Sequence, residues 1–141
     1  MIQANELRFG NIVYFSNYEP VHQSQIRRIG WNDLEQLSLD EHADRYSPIP
    51  LTPEILEKCG FKQLPHFTVQ NNWYLEIGRD RVISIACVGT PNEMVFINEE
   101  VPPEVKNMIV VRNYDYDGYT YLHDIQNIYY DFTKQQLPVS L

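Results

Sequence analysis

Tyr121-Leu122-His123-Asp124-Ile125-Gln126-Asn127-Ile128-Tyr129-Tyr130-Asp131-Phe132 is the stretch that decides the architecture. Tyr121, Leu122, Ile125, Ile128, Tyr129 and Phe132 recur at helical spacing. At 100° per residue these six side chains fall within an arc of roughly 120°, and His123, Asp124, Gln126, Asn127, Tyr130 and Asp131 all fall outside it. A helix patterned this way must lay its stripe on another element, and the sequence before it supplies one. Trp73 to Ile77, Arg81 to Val88, Met94 to Asn98 and Met108 to Arg112 read as strands, with Phe67 to Gln70 before them and Asn71-Asn72 and Gly78-Arg79-Asp80 as turns. The acidic, proline-bearing Glu99-Glu100-Val101-Pro102-Pro103-Glu104 separates the last two. The expected fold is α+β: an antiparallel meander packed by a C-terminal amphipathic helix and two short helices.

The short helices are placed by their ends. Thr52 as N-cap, Pro53 at the first helical position, Ile55 and Leu56 facing inward and Gly60 past the end define one. The other is expected to start at Asp33 with Asn32 as its cap and Leu34 and Leu37 inward. Ser47-Pro48-Ile49-Pro50-Leu51 is extended, because each proline disfavours the helical region for its predecessor. Further upstream, Leu7 to Phe15 reads as a strand broken at Gly10-Asn11, with Val21 to Ile29 as its hairpin partner. That hairpin suits an SH3-like opening or a small barrel. A chain of 141 residues suits one domain, 1–141, with 1–50 as a possible β lobe and 51–141 as an α+β lobe.

Composition narrows the function classes. A formal charge of -8 repels phosphate backbones, and the only adjacent basic pair is Arg27-Arg28, so nucleic acid is disfavoured unless Arg27, Arg79 and Arg112 were gathered into one patch. No uncharged run is long enough to span a bilayer and the N-terminal residues lack a basic segment followed by an apolar one, so no membrane association is expected and the compartment is read as cytoplasmic. Cys59 and Cys87 are widely spaced among apolar neighbours and read as small buried thiols. His22, His42 and His66 lack the spacing of zinc ligands. Oligomeric state does not follow from these features.

Three constellations have functional readings. Asn113, Asp115, Asp117 and Asp124 occupy positions 1, 3, 5 and 12 of a calcium-type loop, with Gly118 at position 6. The uncharged Asn113, Thr120 at position 8 and the short Asp124 depart from that pattern, and a plain Asp-Gly turn is the simpler reading, with Ca2+ as the alternative. His123 lies on the polar face of the last helix beside Asp124, where a histidine acts as a base only with a second catalytic element; a surface histidine is expected. Trp31, Trp73, Tyr74, Tyr114 and Tyr116 belong to an aromatic content of 13% and are candidate anchors for a protein partner, against the plainer reading as core or cross-strand pairs.

Asn5-Glu6-Leu7-Arg8-Phe9-Gly10-Asn11-Ile12-Val13-Tyr14, Pro48-Ile49-Pro50-Leu51-Thr52-Pro53-Glu54-Ile55-Leu56 through Gly60-Phe61, and Tyr121-Leu122-His123-Asp124-Ile125-Gln126-Asn127-Ile128-Tyr129 with Thr133 and Leu137 come in the order of, and resemble, an uncharacterised family of small proteins from gut anaerobes and their phages and mobile elements. Where that family continues after Thr133 with Gly-Glu-Glu-Leu, this chain has Lys134-Gln135-Gln136-Leu137 and lacks the glycine stop. The resemblance implies an accessory role and assigns no activity, cofactor or catalytic residue. With no catalytic signature in the residues, the expected function is a non-enzymatic cytoplasmic protein-interaction module of phage or mobile-element origin. The alternative is a small metal-dependent hydrolase or ligand-binding protein that uses the Asn113–Asp124 loop and His123.

Overall fold

A computed structural model describes residues 2, 4–16, 25–39, 43–63, 72–78, 81–90, 93–98, 108–112 and 120–141. The fold is α+β, and the chain divides into two compact units: Met1–Ile49 with Tyr121–Ile128, and Pro50–Thr120 with Tyr129–Leu141. Among the described residues no helix is long and apolar enough to cross a membrane.

The first unit is built on a short strand, β1 (Ile12–Phe15), flanked by β2 (Gln25–Arg28) and β3 (Tyr46–Ser47), both antiparallel to it. Ile12 faces Arg28 and Phe15 faces both Gln25 and Tyr46 across the ladders. The strand expected from Leu7 begins only at Ile12. The Asn11 side chain accepts the Arg8 N–H at 2.7 Å, the Asn11 N–H returns to the Arg8 carbonyl, and Gly10 takes φ of 88°, which closes a turn where the ladder would run. Ile2, Leu7, Val13, Ile29, Leu37 and Tyr46 form the core beneath this sheet.

Helix α1 (Trp31–Ser38) starts two residues earlier than expected, with Gly30 as its N-cap in place of Asn32. Asp33 sits one turn in, and its carboxylate reaches back to the Gly30 N–H at 2.9 Å. The glycine has no side chain to return the bond, so the carboxylate alone sets the helix start.

In the second unit, α2 (Pro53–Lys58) has the ends read from sequence: Thr52 Oγ1 accepts the Ile55 N–H at 3.3 Å and Gly60 takes φ of 86°. The Phe61 N–H reaches the Leu56 carbonyl and the Gly60 N–H that of Glu57, a Schellman closure in which Leu56 and Phe61 are both buried. The sheet that follows is antiparallel, in the order β4 (Lys62–Gln63), β5 (Trp73–Glu76), β6 (Val82–Ala86), β7 (Met94–Asn98), β8 (Met108–Arg112). The meander is as expected; β4, which pairs Gln63 with Trp73, carries too short a pattern to be read in advance, and the expected strand at 67–70 lies outside the described residues. Val82, Ile83, Ser84 and Ile85 are all buried, so both faces of the central strand are covered. Glu93 is a buried carboxylate with a structural use: it accepts the Gly89 N–H at 2.8 Å and the Thr120 N–H at 2.6 Å.

Helix α3 (Leu122–Thr133) contributes 122–128 to the first unit and 129–133 to the second. Its buried face differs from the apolar stripe. Leu122, His123, Ile125 and Gln126 are the buried positions, whereas Phe132, at the centre of the stripe, is 39% exposed. On a helical wheel the buried arc is turned by roughly 80° from the apolar one. The reason is polar: Gln126 and Asn127 satisfy backbone groups of the Glu6–Ile12 segment, and a buried amide that is fully bonded costs little.

The helix ends without a glycine. Lys134 takes φ of 58° while its N–H reaches the Tyr130 carbonyl at 2.7 Å, so a side chain occupies the left-handed position that glycine adopts without strain. Lys134→Gly is expected to raise stability by about 0.5–1 kcal/mol, the relief of strain less the entropy that glycine adds to the unfolded chain. A urea midpoint that falls for this variant would contradict the assignment.

Candidate functional site

The described surface of the first unit carries one aromatic feature that its core does not use. Trp31, the first residue of α1, is 73% exposed, and Phe9, at the Gly10 turn, is 51% exposed. Their ring centroids lie 5.1 Å apart at 35°. Both rings are positioned by backbone bonds: the Gly10 N–H donates to the Ile29 carbonyl at 2.8 Å and the Ile29 N–H to the Asn11 carbonyl at 2.7 Å, which ties the Phe9 turn to the segment leading into Trp31. Sequence reasoning singled out Trp31 and missed Phe9. Its signal was the glycine that follows, which turns the chain and points the preceding ring outward.

One guanidinium group is tied to the turn that carries Phe9. Arg28 donates from Nη1 to the Gly10 carbonyl at 3.1 Å. Arg27, on the opposite side of the strand, stacks over the Phe15 ring at 4.5 Å and bonds Asp33 Oδ1 through Nε at 2.7 Å, so its charge is neutralised within the unit. Ile26, two residues before Arg28 and therefore on the same strand face, is also exposed. Among the described residues this surface is apolar, with one guanidinium, Arg28, that meets no carboxylate.

The other anticipated anchors are placed differently. Trp73 is 3% exposed in β5, and its indole Nε1 meets no hydrogen-bond acceptor among the described residues. Tyr74, facing Ser84 across the ladder, is half-buried. Tyr114, Tyr116, Asn113, Asp115 and Asp117 lie outside the described residues. Asp124, the remaining calcium candidate, accepts the Tyr121 N–H on Oδ2 at 2.9 Å and thereby caps α3.

His123 is not the surface histidine expected. It is 2% exposed, stacked on the Tyr121 ring at 5.9 Å, with Nε2 3.5 Å from Asp124 Oδ1. The rotated buried face of α3 brings this polar flank inward. A ring enclosed in this way lacks the substrate access that a general base needs.

The second unit has an open cleft of about 410 Å³ at the C-terminal end of α2, walled by Cys59, Leu75, Tyr129, Leu137 and Pro138. Lys58 and Ser140 also line it, and the Ser140 N–H donates to the Lys58 carbonyl at 3.1 Å. Burial pushes the Cys59 thiol up to about 12, so at neutral pH it is protonated and serves as an apolar wall rather than a nucleophile. Cys87 is half-buried, with φ of 56° and its N–H on Asn72 Oδ1.

No protein-family model matches the chain, and no curated protein or solved structure matches it.

Proposed function

We propose that the chain is a non-enzymatic protein-interaction module, acting in the cytoplasm as an accessory factor of phage or mobile-element origin, and that it meets its partner through Phe9 and Trp31. The observation that carries the reading is the pair itself. Two large rings held against each other in water leave a large apolar area unburied, and burial in a partner recovers roughly 25 cal/mol for each Å² removed from water. Exposed tryptophan with a neighbouring aromatic and arginine is the composition that dominates binding energy at protein interfaces. The rings lie at a turn and a helix start, so removing them leaves the core of the unit intact.

The test is quantitative capture from the native host with wild type, Trp31→Ala and the control Glu57→Ala in the second unit. Trp31→Ala is expected to keep its unfolding midpoint within about 0.5 kcal/mol of wild type. It is expected to lose a partner that the control retains, by roughly thirtyfold or more, the scale of an interface anchor. Equal recovery of every captured protein by Trp31→Ala and wild type overturns the proposal.

A further inference from the structure

We infer that the partner segment received at Phe9 and Trp31 carries a carboxylate beside apolar side chains, and that Arg28 is its receptor; this rests on the reading of the aromatic pair as a contact surface. Arg28 is exposed and spends one N–H on the Gly10 carbonyl, the residue after Phe9, which pins the guanidinium beside the rings without neutralising it. Its neighbour Arg27 is neutralised by Asp33, a carboxylate 4% exposed, so the two arginines differ in kind although they are adjacent in sequence. A guanidinium held by one bond, with further N–H groups turned to solvent, accepts a carboxylate in paired geometry at little entropic cost. Ile26 on the same strand face and the two rings supply apolar contact on the surface around it.

Charge selects the class of partner. The chain carries -8 overall, so a nucleic acid with a phosphate at every nucleotide is repelled over a long range, and a single unpaired guanidinium offsets little of that. A peptide segment with one or two carboxylates meets the local cation and little of the global field.

The test uses three probes on the intact chain: a peptide alternating glutamate and phenylalanine, its glutamine-for-glutamate counterpart, and oligothymidylate. Binding is followed by the indole N–H signal of Trp31 in nuclear magnetic resonance. The glutamate peptide is expected to bind roughly fivefold tighter than the glutamine peptide, the scale of a partly exposed ion pair, and Arg28→Gln is expected to abolish that ratio. Trp31→Ala, followed through the backbone amide of Gly10, is expected to lose both peptides. Equal affinity for the two peptides, a preference for oligothymidylate, or no saturable peptide binding at millimolar concentration overturns the inference. If the two peptides bind equally and Trp31→Ala loses both, the aromatic contact stands and the acidic partner falls; peptide binding indifferent to Trp31 removes both.

Discussion

Asp33→Ala is expected to destabilise the protein by about 3 kcal/mol, read as a lowered urea midpoint for the first unit. The carboxylate is buried and accepts three bonds: from the Tyr46 hydroxyl at 2.7 Å, the Gly30 N–H at 2.9 Å and Arg27 Nε at 2.7 Å. The losses are unequal. Arg27 retains solvent on 43% of its side chain, so its part is small. The Gly30 N–H is a helix-start donor, worth about 1 kcal/mol. The Tyr46 hydroxyl is the larger part, because a phenol 1% exposed would be left without an acceptor, at a cost of about 1–3 kcal/mol.

The same variant changes the alkaline limb. Burial first, then the hydrogen bond to Asp33 and the charge of Asp33, push the Tyr46 phenol up to about 12. The unfolded chain releases that proton near the ordinary value of about 10, so stability is full below about 10 and falls as pH rises from there towards 12. Without Asp33 the burial remains and the bond does not, so the fall between those values becomes shallower. A loss under 1 kcal/mol at pH 7, or an unchanged alkaline slope, would show that Asp33 is not the tie between α1 and the sheet.

Gln126→Leu is expected to cost about 2–4 kcal/mol although it adds apolar volume to a buried site. Gln126 is 2% exposed; its Oε1 accepts the Ile12 N–H at 2.8 Å and its Nε2 donates to the Gly10 carbonyl at 3.3 Å. Beside it, Asn11 donates to Asn127 Oδ1 at 2.9 Å and Asn127 donates to the Glu6 carbonyl at 3.0 Å. Leucine fills the space but leaves the Ile12 N–H and Gly10 carbonyl facing an apolar side chain. Gln126→Glu separates bonding from shape. At neutral pH its second oxygen opposes the Gly10 carbonyl, which holds its folded-state proton more tightly than in the unfolded chain; stability is therefore higher in mild acid and is lost as pH rises. Equal stability of Gln126→Leu and wild type would sink this account, and so would a Glu variant indifferent to pH.

At Asp33 and Gln126 the bonds that matter reach beyond the residues' own element or start, and sequence reading failed there. The ends of α2 were legible because Thr52, Pro53 and Gly60 act through their own backbone and its nearest neighbours. The four strands from Trp73 to Arg112 were legible for the same reason, as short runs rich in β-branched and aromatic residues cut by turns. The start of α1 was missed because Asp33 caps from inside the helix, reaching back to a glycine whose preceding residues are fixed by β1. Of the candidate contact surface, Trp31 could be named but its exposure could not, and Trp73, the same residue type, is buried in a strand.

The sequence alone determined the α+β class, the meander and the existence of the last helix, since each depends on periodicity and on chemistry within a few residues. Only the tertiary structure decided which face of that helix is buried, that His123 is enclosed, and that Phe9 stacks on Trp31 in solvent. The physical reason is range. Turns, caps and strand periods are satisfied locally, whereas the face a helix buries depends on backbone groups more than a hundred positions away, and Gln126 and Asn127 look like solvent-facing amides until those groups are in place.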